Sequence, residues 1–163
     1  MRKMLFVVFL LLAGASEAQE YMQAAGIRAG LCSGVEYRRF IDYQYSGRIL
    51  LGARSRGLQL YALLEIHQWD LFSFTDNIGF YYGAGIHGGF VRWSEKFTSG
   101  TLTGEKVFTR PVVGIDGFAG LEYNFDLFPL SAGLEMKPAI DFWGRDGFDV
   151  IPWDFAFTLR YLF

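Results

Sequence analysis

The sequence predicts an all-β fold, an antiparallel up-and-down transmembrane β-barrel of eight strands, and three observations carry that prediction. The first is the stretch from Trp153 to Phe163, in which Phe155, Phe157, Leu159, Tyr161 and Phe163 stand two apart with Ala156, Thr158, Arg160 and Leu162 between them. A period of two places the two sets on opposite faces of one strand. One face is wholly apolar and the other carries a charge. In water such a strand is an aggregation hazard, whereas lipid on one side and a polar lumen on the other accommodate both faces. The second observation is that the same alternation recurs along the chain. The third is composition: 18% aromatic residues, 20 glycines and 4 prolines in 163 residues favour strand over helix, and that length suits one domain.

Residues 1–18 read as a cleaved signal peptide and residues 19–163 as the barrel. Arg2 and Lys3 form a positive start, Met4 to Ala13 an apolar run, and Ser16 and Ala18 the small residues of a cleavage site. The apolar run of 10 residues is shorter than the roughly 20 a spanning helix needs. No cysteine follows it closely, which argues against a lipoprotein anchor. After Ala18 no apolar run reaches helical spanning length, so entry into a membrane must be by strands.

The strands are then read in order. Strand 1, Gln23–Cys32, sets Ala25, Ile27, Ala29 and Leu31 against Gly26, Arg28, Gly30 and Cys32, and Ser33-Gly34 signals a turn. Strand 2, Val35–Asp42, has Val35, Tyr37 and Ile41 on one face and Glu36 and Arg38 on the other; Arg39 interrupts the apolar face where it can snorkel. The alternative is one bent strand over 23–42, which would spoil the even count. Strand 3 is Gly47–Arg54, and strand 4, Leu58–Gln68, alternates Leu58, Leu60, Ala62, Leu64 and Ile66 with Gln59, Tyr61, Leu63, Glu65 and His67. Residues 70–77 connect to strand 5, Ile78–Trp93, whose inward face carries Tyr81 and His87 among Gly79, Gly83, Gly85 and Gly89. Those glycines are expected to leave room for long side chains from the opposite wall. Residues 94–109 have the composition of an exposed polar loop. Strand 6 is Pro111–Phe125, strand 7 runs from Leu130 to Asp141, Gly144 to Gly147 opens a second polar loop, and strand 8 is the terminal stretch. With both termini periplasmic, the connections at 33–34, 55–57, 94–109 and 144–151 lie outside, so the longest loop is extracellular.

The signal peptide, the dyad repeats and the terminal ladder of Phe155, Phe157, Leu159, Tyr161 and Phe163 together resemble the small eight-stranded outer-membrane barrels of Gram-negative bacteria, the OmpX, OmpA and opacity-protein class. The stretches Gly83-Ala-Gly-Ile-His-Gly-Gly89, Gly114 to Tyr123 and Met136-Lys-Pro138 also look like segments of such barrels. The resemblance implies location in the cell outer membrane, with outer-membrane lipid around the barrel. It also implies that the barrel assembly machinery reads the terminal ladder during biogenesis. It implies no chemistry.

The inward charges suggest what the interior does. Arg28, Arg38, Arg48, Arg54, Lys137 and Arg160 stand against Glu36, Glu65, Asp116, Glu122, Glu135, Asp141 and Asp154, and a near-symmetric register would put Arg160 opposite Glu135. An eight-stranded interior is only wide enough for side chains to fill, and charges buried there must be paired. The expectation is a lumen charge network built on Arg28, Arg38, Arg48, Glu65, His87, Asp116, Glu122, Glu135, Lys137, Asp141 and Arg160. It closes the barrel as a salt-bridged plug; the rival is a narrow ion path. His67 and His87 face inward with Glu65 and Asp116 nearby. No serine falls beside either on the outward face, and inward Ser131 lies near the periplasmic end, so no catalytic triad assembles in this register. Two histidines alone make a weak metal site, and Cys32 reads as a small buried residue. No enzyme activity, cofactor or metal is expected. The formal net charge of -2 gives no bulk case for nucleic acid.

The expected role is structural or surface-interacting, with an extracellular partner touching the loops near 94–109 and 144–151. Phe97 and Phe108 are placed to anchor the longer loop. The alternatives are a lipid A deacylase-like barrel enzyme, a narrow channel, and a soluble lipocalin-like barrel with its facing reversed.

Overall fold

In a computed structural model the chain is described over residues 22–163, apart from 55, 70, 100, 101, 145 and 146, with backbone alone at 97–99 and 102–103. The expected signal peptide lies outside these residues. Ten strand segments follow one another: β1 (Gln23–Gly30), β2 (Ser33–Phe40), β3 (Tyr45–Arg54), β4 (Gly57–Gln68), β5 (Ile78–Ser99), β6 (Leu102–Asn124), β7 (Leu130–Met136), β8 (Ala139–Trp143), β9 (Asp149–Ile151) and β10 (Phe155–Leu162). All pairings are antiparallel, β10 returns to β1, and the ring closes. Both β7 and β8 pair with β6, so they are two halves of one stave; β9 and β10 are likewise halves of another. The barrel therefore has eight staves. Each of the two breaks contains a proline, Pro138 and Pro152, which has no N–H for the ladder. Backbone bonds bridge the first break, from Lys137 N to the Asp154 carbonyl (2.9 Å) and from Gly117 N to the Pro138 carbonyl (3.0 Å).

Burial alternates along most of the strands, most regularly in β4, where Leu58, Leu60, Ala62 and Leu64 are exposed while Gln59, Tyr61, Leu63, Glu65 and His67 are buried. The interior holds the charges and a small apolar cluster of Cys32, Leu50, Tyr61, Leu63, Tyr81 and Phe118. The outer face is an unbroken apolar belt in which Leu64, Ile86 and Phe157 are 68%, 62% and 70% exposed. The terminal ladder lies in this belt, and its last residue is tied to the first strand by paired bonds between Phe163 and Gln23 (2.9 and 3.0 Å).

Several boundaries differ from the sequence reading, each for a physical reason. Residues 23–42 form two strands, and the hairpin turns at Leu31-Cys32, two residues before Ser33-Gly34. There the Ser33 hydroxyl donates to the Gly30 carbonyl (2.8 Å) and accepts from the Gly30 N–H (3.0 Å), which lets Ser33 open β2. The stretch 94–109 is no loop: β5 and β6 run on as a paired ribbon to Ser99 and Leu102. Its alternation is hidden because charge pairs across the ladder, Glu95 opposite Lys106 and Lys96 opposite Glu105, stand where apolar residues would have shown it. Trp93 and Phe108 stack 5.6 Å apart at the base of the ribbon. Part of 144–151 is also strand, since β9 pairs with β8. Strand 8 opens at Phe155, because Pro152 to Asp154 form the break.

The inward glycines make room for the neighbouring strand, not for the opposite wall. Gly83 is paired with Phe118, Gly120 with Tyr81 and Gly114 with His87. A Cβ on Gly83 would lie 2.7 Å from Phe118 Cζ and also against the Leu64 carbonyl. Each ring thus lies over the glycine opposite it, and the narrow interior gains aromatic mass without widening. Gly83→Ala should lower the stability of the refolded barrel by about 1–3 kcal/mol. Gly47→Ala should leave it unchanged, since a Cβ at Gly47 meets nothing within 4 Å. Urea midpoints of the two variants in lipid vesicles test this, and equal midpoints would refute the packing account.

Candidate functional site

The candidate site is the lumen, where the two apolar and polar periodicities leave every inward charge within a closed ring of strands. Arg48 on β3 occupies its middle. It lies 2.6 Å from Glu135, 2.8 Å from Glu65 and 3.0 Å from Glu36. From there the pairs run in both directions. Toward the end that holds both termini, Arg38 meets Glu65 (2.5 Å) and Glu122 (2.8 Å), Arg160 meets Glu36 (2.5 Å) and Glu122 (3.0 Å), and His67 stands 3.6 Å from both Glu65 and Glu122. Toward the ribbon end, Arg28 joins Glu135 (2.9 Å) to Asp154 (3.1 Å), and Lys137 joins Asp154 (3.7 Å) to Asp116 (2.8 Å). His87 presents one ring nitrogen to Asp116 (2.7 Å) and the other to Asp141 (3.0 Å), and Asp141 reaches Arg54 (3.5 Å). Every one of the eight staves contributes at least one charged or titratable side chain to a single connected network, β5 through His87.

Aromatic rings fill the spaces between the cations. Tyr81 lies under the guanidinium groups of Arg38 (4.9 Å), Arg160 (5.3 Å) and Arg48 (5.9 Å). Its hydroxyl donates to Glu135 (3.1 Å) and accepts from Arg160 (3.3 Å). Arg48 also stands over Phe118 (4.9 Å) and Lys137 over Tyr61 (4.1 Å). A cation on a ring face gains electrostatic attraction where water is excluded. All eleven residues expected in the network are in it, with Glu36, Arg54, His67 and Asp154 alongside them. Tyr81 is its unforeseen hub: its inward position was legible, but the convergence of three arginines on one ring depends on strand register. Phe118 carries no period-two signal of its own, because Gly117 precedes it.

One expected contact is corrected. Arg160 stands opposite Ser131, and Glu135 stands opposite Ala156. The register of β7 and β10 is offset by four residues from the symmetric one, so Arg160 reaches across the lumen to Glu36 and Glu122 instead. A second correction concerns hydroxyls. Ser46, which falls between strands 2 and 3 of the sequence reading, is the second residue of β3 and brings its Oγ to 2.9 Å from His67 Nε2, with Glu122 on the other side of the ring. The spacing is that of a Ser–His–acid set, but the Ser46 hydroxyl donates to Glu65 (2.6 Å) and the residue is 1% exposed. Its proton is therefore held by a carboxylate and not by the imidazole, while Ser46 and Glu65 also line a cavity with Tyr45, Ile66 and Tyr82. Ser131 is fully buried beside Arg160 and makes no approach to His87. Among the described residues no group of three or more His, Cys, Asp or Glu side chains is arranged to hold a metal ion. Cys32 is a buried free thiol.

At the end holding the termini the lumen opens into a cavity of about 310 Å³, with Met22, Phe40, Tyr43, Trp69 and Leu162 as apolar walls and Arg38 and Glu122 among its polar ones. His67 stacks on Trp69 at 5.4 Å and lies 4.8 Å from Phe40, so this aromatic group covers the last ion pairs of the network.

The barrel is similar to a solved structure, the N-terminal β-barrel domain of OprF from Pseudomonas aeruginosa. The TM-score is 0.50 and the identity 13%, over 86% of this chain and 95% of that domain. The fold is that of an outer-membrane-type eight-stranded barrel. No protein-family model and no curated protein matches the chain.

The network makes a quantitative demand. Arg48→Met removes the cation shared by Glu36, Glu65 and Glu135 and should cost about 3–5 kcal/mol, the range for breaking a buried ion pair. Equilibrium urea unfolding of the refolded barrel measures it. A loss below about 1 kcal/mol, typical of a solvated pair, would show that water enters the lumen.

Proposed function

We propose that the protein is an integral outer-membrane β-barrel with a closed, salt-bridged lumen. It serves as a structural or surface-interaction protein that presents the β5–β6 ribbon and the 144–151 connection outside the cell. The observation that carries this reading is the unbroken succession of ion pairs from Arg54 at one end to His67 at the other, with ring faces between them. A diffusing ion would have to displace buried, mutually paired charges, so the interior is a plug and not a pore. The apolar belt supports a lipid surround. The open edges of the ribbon above the barrel support contact with a partner. The outward ladder of Phe155, Phe157, Leu159, Tyr161 and Phe163 supports recognition by the assembly machinery, and no enzymatic role is assigned.

Cell fractionation tests the placement. The protein should be found in the outer membrane with heat-modifiable gel mobility, and Phe163→Ala should reduce the heat-modifiable fraction in cells. Purified protein in planar bilayers should give no discrete conductance steps. Recovery as a soluble periplasmic protein would sink the placement, and stable steps abolished by Arg160→Gln would sink the closed lumen.

A second reading, a lipid-modifying barrel enzyme, draws on the Ser46–His67 contact. Mass spectrometry of lipid A from cells with the protein, without it, and with Ser46→Ala decides between the two. Three identical profiles are expected; an acyl change that Ser46→Ala abolishes would establish the enzyme.

A further inference from the structure

At the base of the ribbon, on the outer face, two exposed arginines stand on adjoining segments of the chain. Leu58 pairs with Phe90 across β4 and β5, and Arg56, in the turn just before β4, stands at the level of Arg92 two residues beyond Phe90. Arg56 Nη1 reaches Ser94 Oγ at 3.4 Å, Arg92 lies over the Phe90 ring at 5.9 Å, and Thr109 is the ladder partner of Arg92. Both arginines are exposed. The acids of the ribbon stand elsewhere: Glu105 is the ladder partner of Lys96, four residues along β6 from Thr109, and Glu95 points to the other face, where it accepts from Trp93 Nε1 (3.1 Å). The ion pairs among the described residues include neither Arg56 nor Arg92.

Two features make this pair more than stray surface charge. Like charges close together repel, so an anion bound between them is favoured. Arg56 also has a φ of 57°, the left-handed region where glycine or asparagine is easier, so a backbone cost is borne at the position that supplies the second guanidinium. The place is specific as well. Leu58, Phe90 and Pro111 directly below are the upper edge of the apolar belt, the height at which lipid headgroups begin.

We propose that Arg56 and Arg92, with the hydroxyls of Ser94 and Thr109, bind the phosphate of a phosphorylated glycolipid, lipid A, in the outer leaflet. A phosphomonoester carries close to two negative charges and three acceptor oxygens, which suits two guanidinium forks and two hydroxyls. Its acyl chains lie along the belt beneath. The proposal rests on the outer-membrane reading and on the ribbon facing outward.

The test uses the refolded full-length barrel in detergent micelles and native mass spectrometry with four probes: bisphosphorylated lipid A, dephosphorylated lipid A, phosphatidylglycerol and inorganic phosphate. Wild type should retain bisphosphorylated lipid A in preference to the other three. Arg56→Asn with Arg92→Gln should weaken that retention roughly tenfold or more, the scale of losing charge-assisted hydrogen bonds. Lys106→Gln, on the opposite face of the ribbon, should leave it unchanged. Should the double variant fail to refold, Arg56→Asn alone serves, since asparagine suits the left-handed turn and removes one charge. Equal retention by wild type and variant, an equal loss with Lys106→Gln, or equal retention of dephosphorylated lipid A or phosphatidylglycerol each overturns the proposal. Inorganic phosphate displacing lipid A at equal concentration overturns the lipid assignment. Heat-modifiable mobility, measured on every sample, reports separately on the barrel: its absence from wild type would strike the outer-membrane reading itself.

Discussion

The structure depends on one constraint: the interior of an eight-stranded barrel is too narrow for water to solvate the charges that line it, so each must find a partner there. Arg48 meets that demand by serving three carboxylates at once, and Tyr81 by accepting three guanidinium groups on and around its ring. The cost of desolvating these ions is offset only when all of them are in place. A slip of one residue in any stave would turn its inward charge to the apolar belt and strand the partners left behind. The network therefore specifies register as well as filling space. The glycines belong to the same solution, because Gly83, Gly114 and Gly120 give the rings of Phe118, His87 and Tyr81 somewhere to lie.

Which residues face the interior was legible in the sequence, and which of them touch was not. The alternation in β4 and β10 assigned Glu65, His67 and Arg160 to the lumen from a period of two alone. The partner of Arg160 was beyond reach, because contacts across a barrel depend on the stagger and tilt of its strands, which no local pattern encodes. Ser46 escaped for a related reason. It stands at the first inward position of a strand whose apolar signal begins later, so its approach to His67 appears only when β3 is paired with β4. The ribbon was misread because paired charges on both of its faces remove the hydrophobic contrast on which strand reading relies. Composition there described the solvent, not the backbone.

The eight staves differ in height, and this gives the molecule a directional surface. The first four end near Gly30, Ser33, Arg54 and Gly57, while β5 and β6 continue as a free ribbon and β8 stops at Trp143, opposite Val113. One side of the rim is thus low and smooth and the other raised and charged. The breaks at Pro138 and Pro152 fall in the last two staves, the second of which pairs with β1, and there Asp154 turns inward and joins Arg28 and Lys137. The irregular part of the wall is therefore also held by the network, and its lost ladder bonds are replaced by buried charge.

The bonds between Gln23 and Phe163 carry a consequence for how the barrel comes into being. They join positions near the two limits of the described chain, and buried pairs such as Arg28 with Asp154 and Arg160 with Glu36 span almost as much sequence. Loop-closure entropy must be met before such contacts are rewarded, so folding is slow and its transition late and cooperative. Until β10 arrives, Glu36 lacks Arg160, Arg28 lacks Asp154, and β1 has a bare edge. The half-made molecule is the unstable one, and its native shape exists only as a whole.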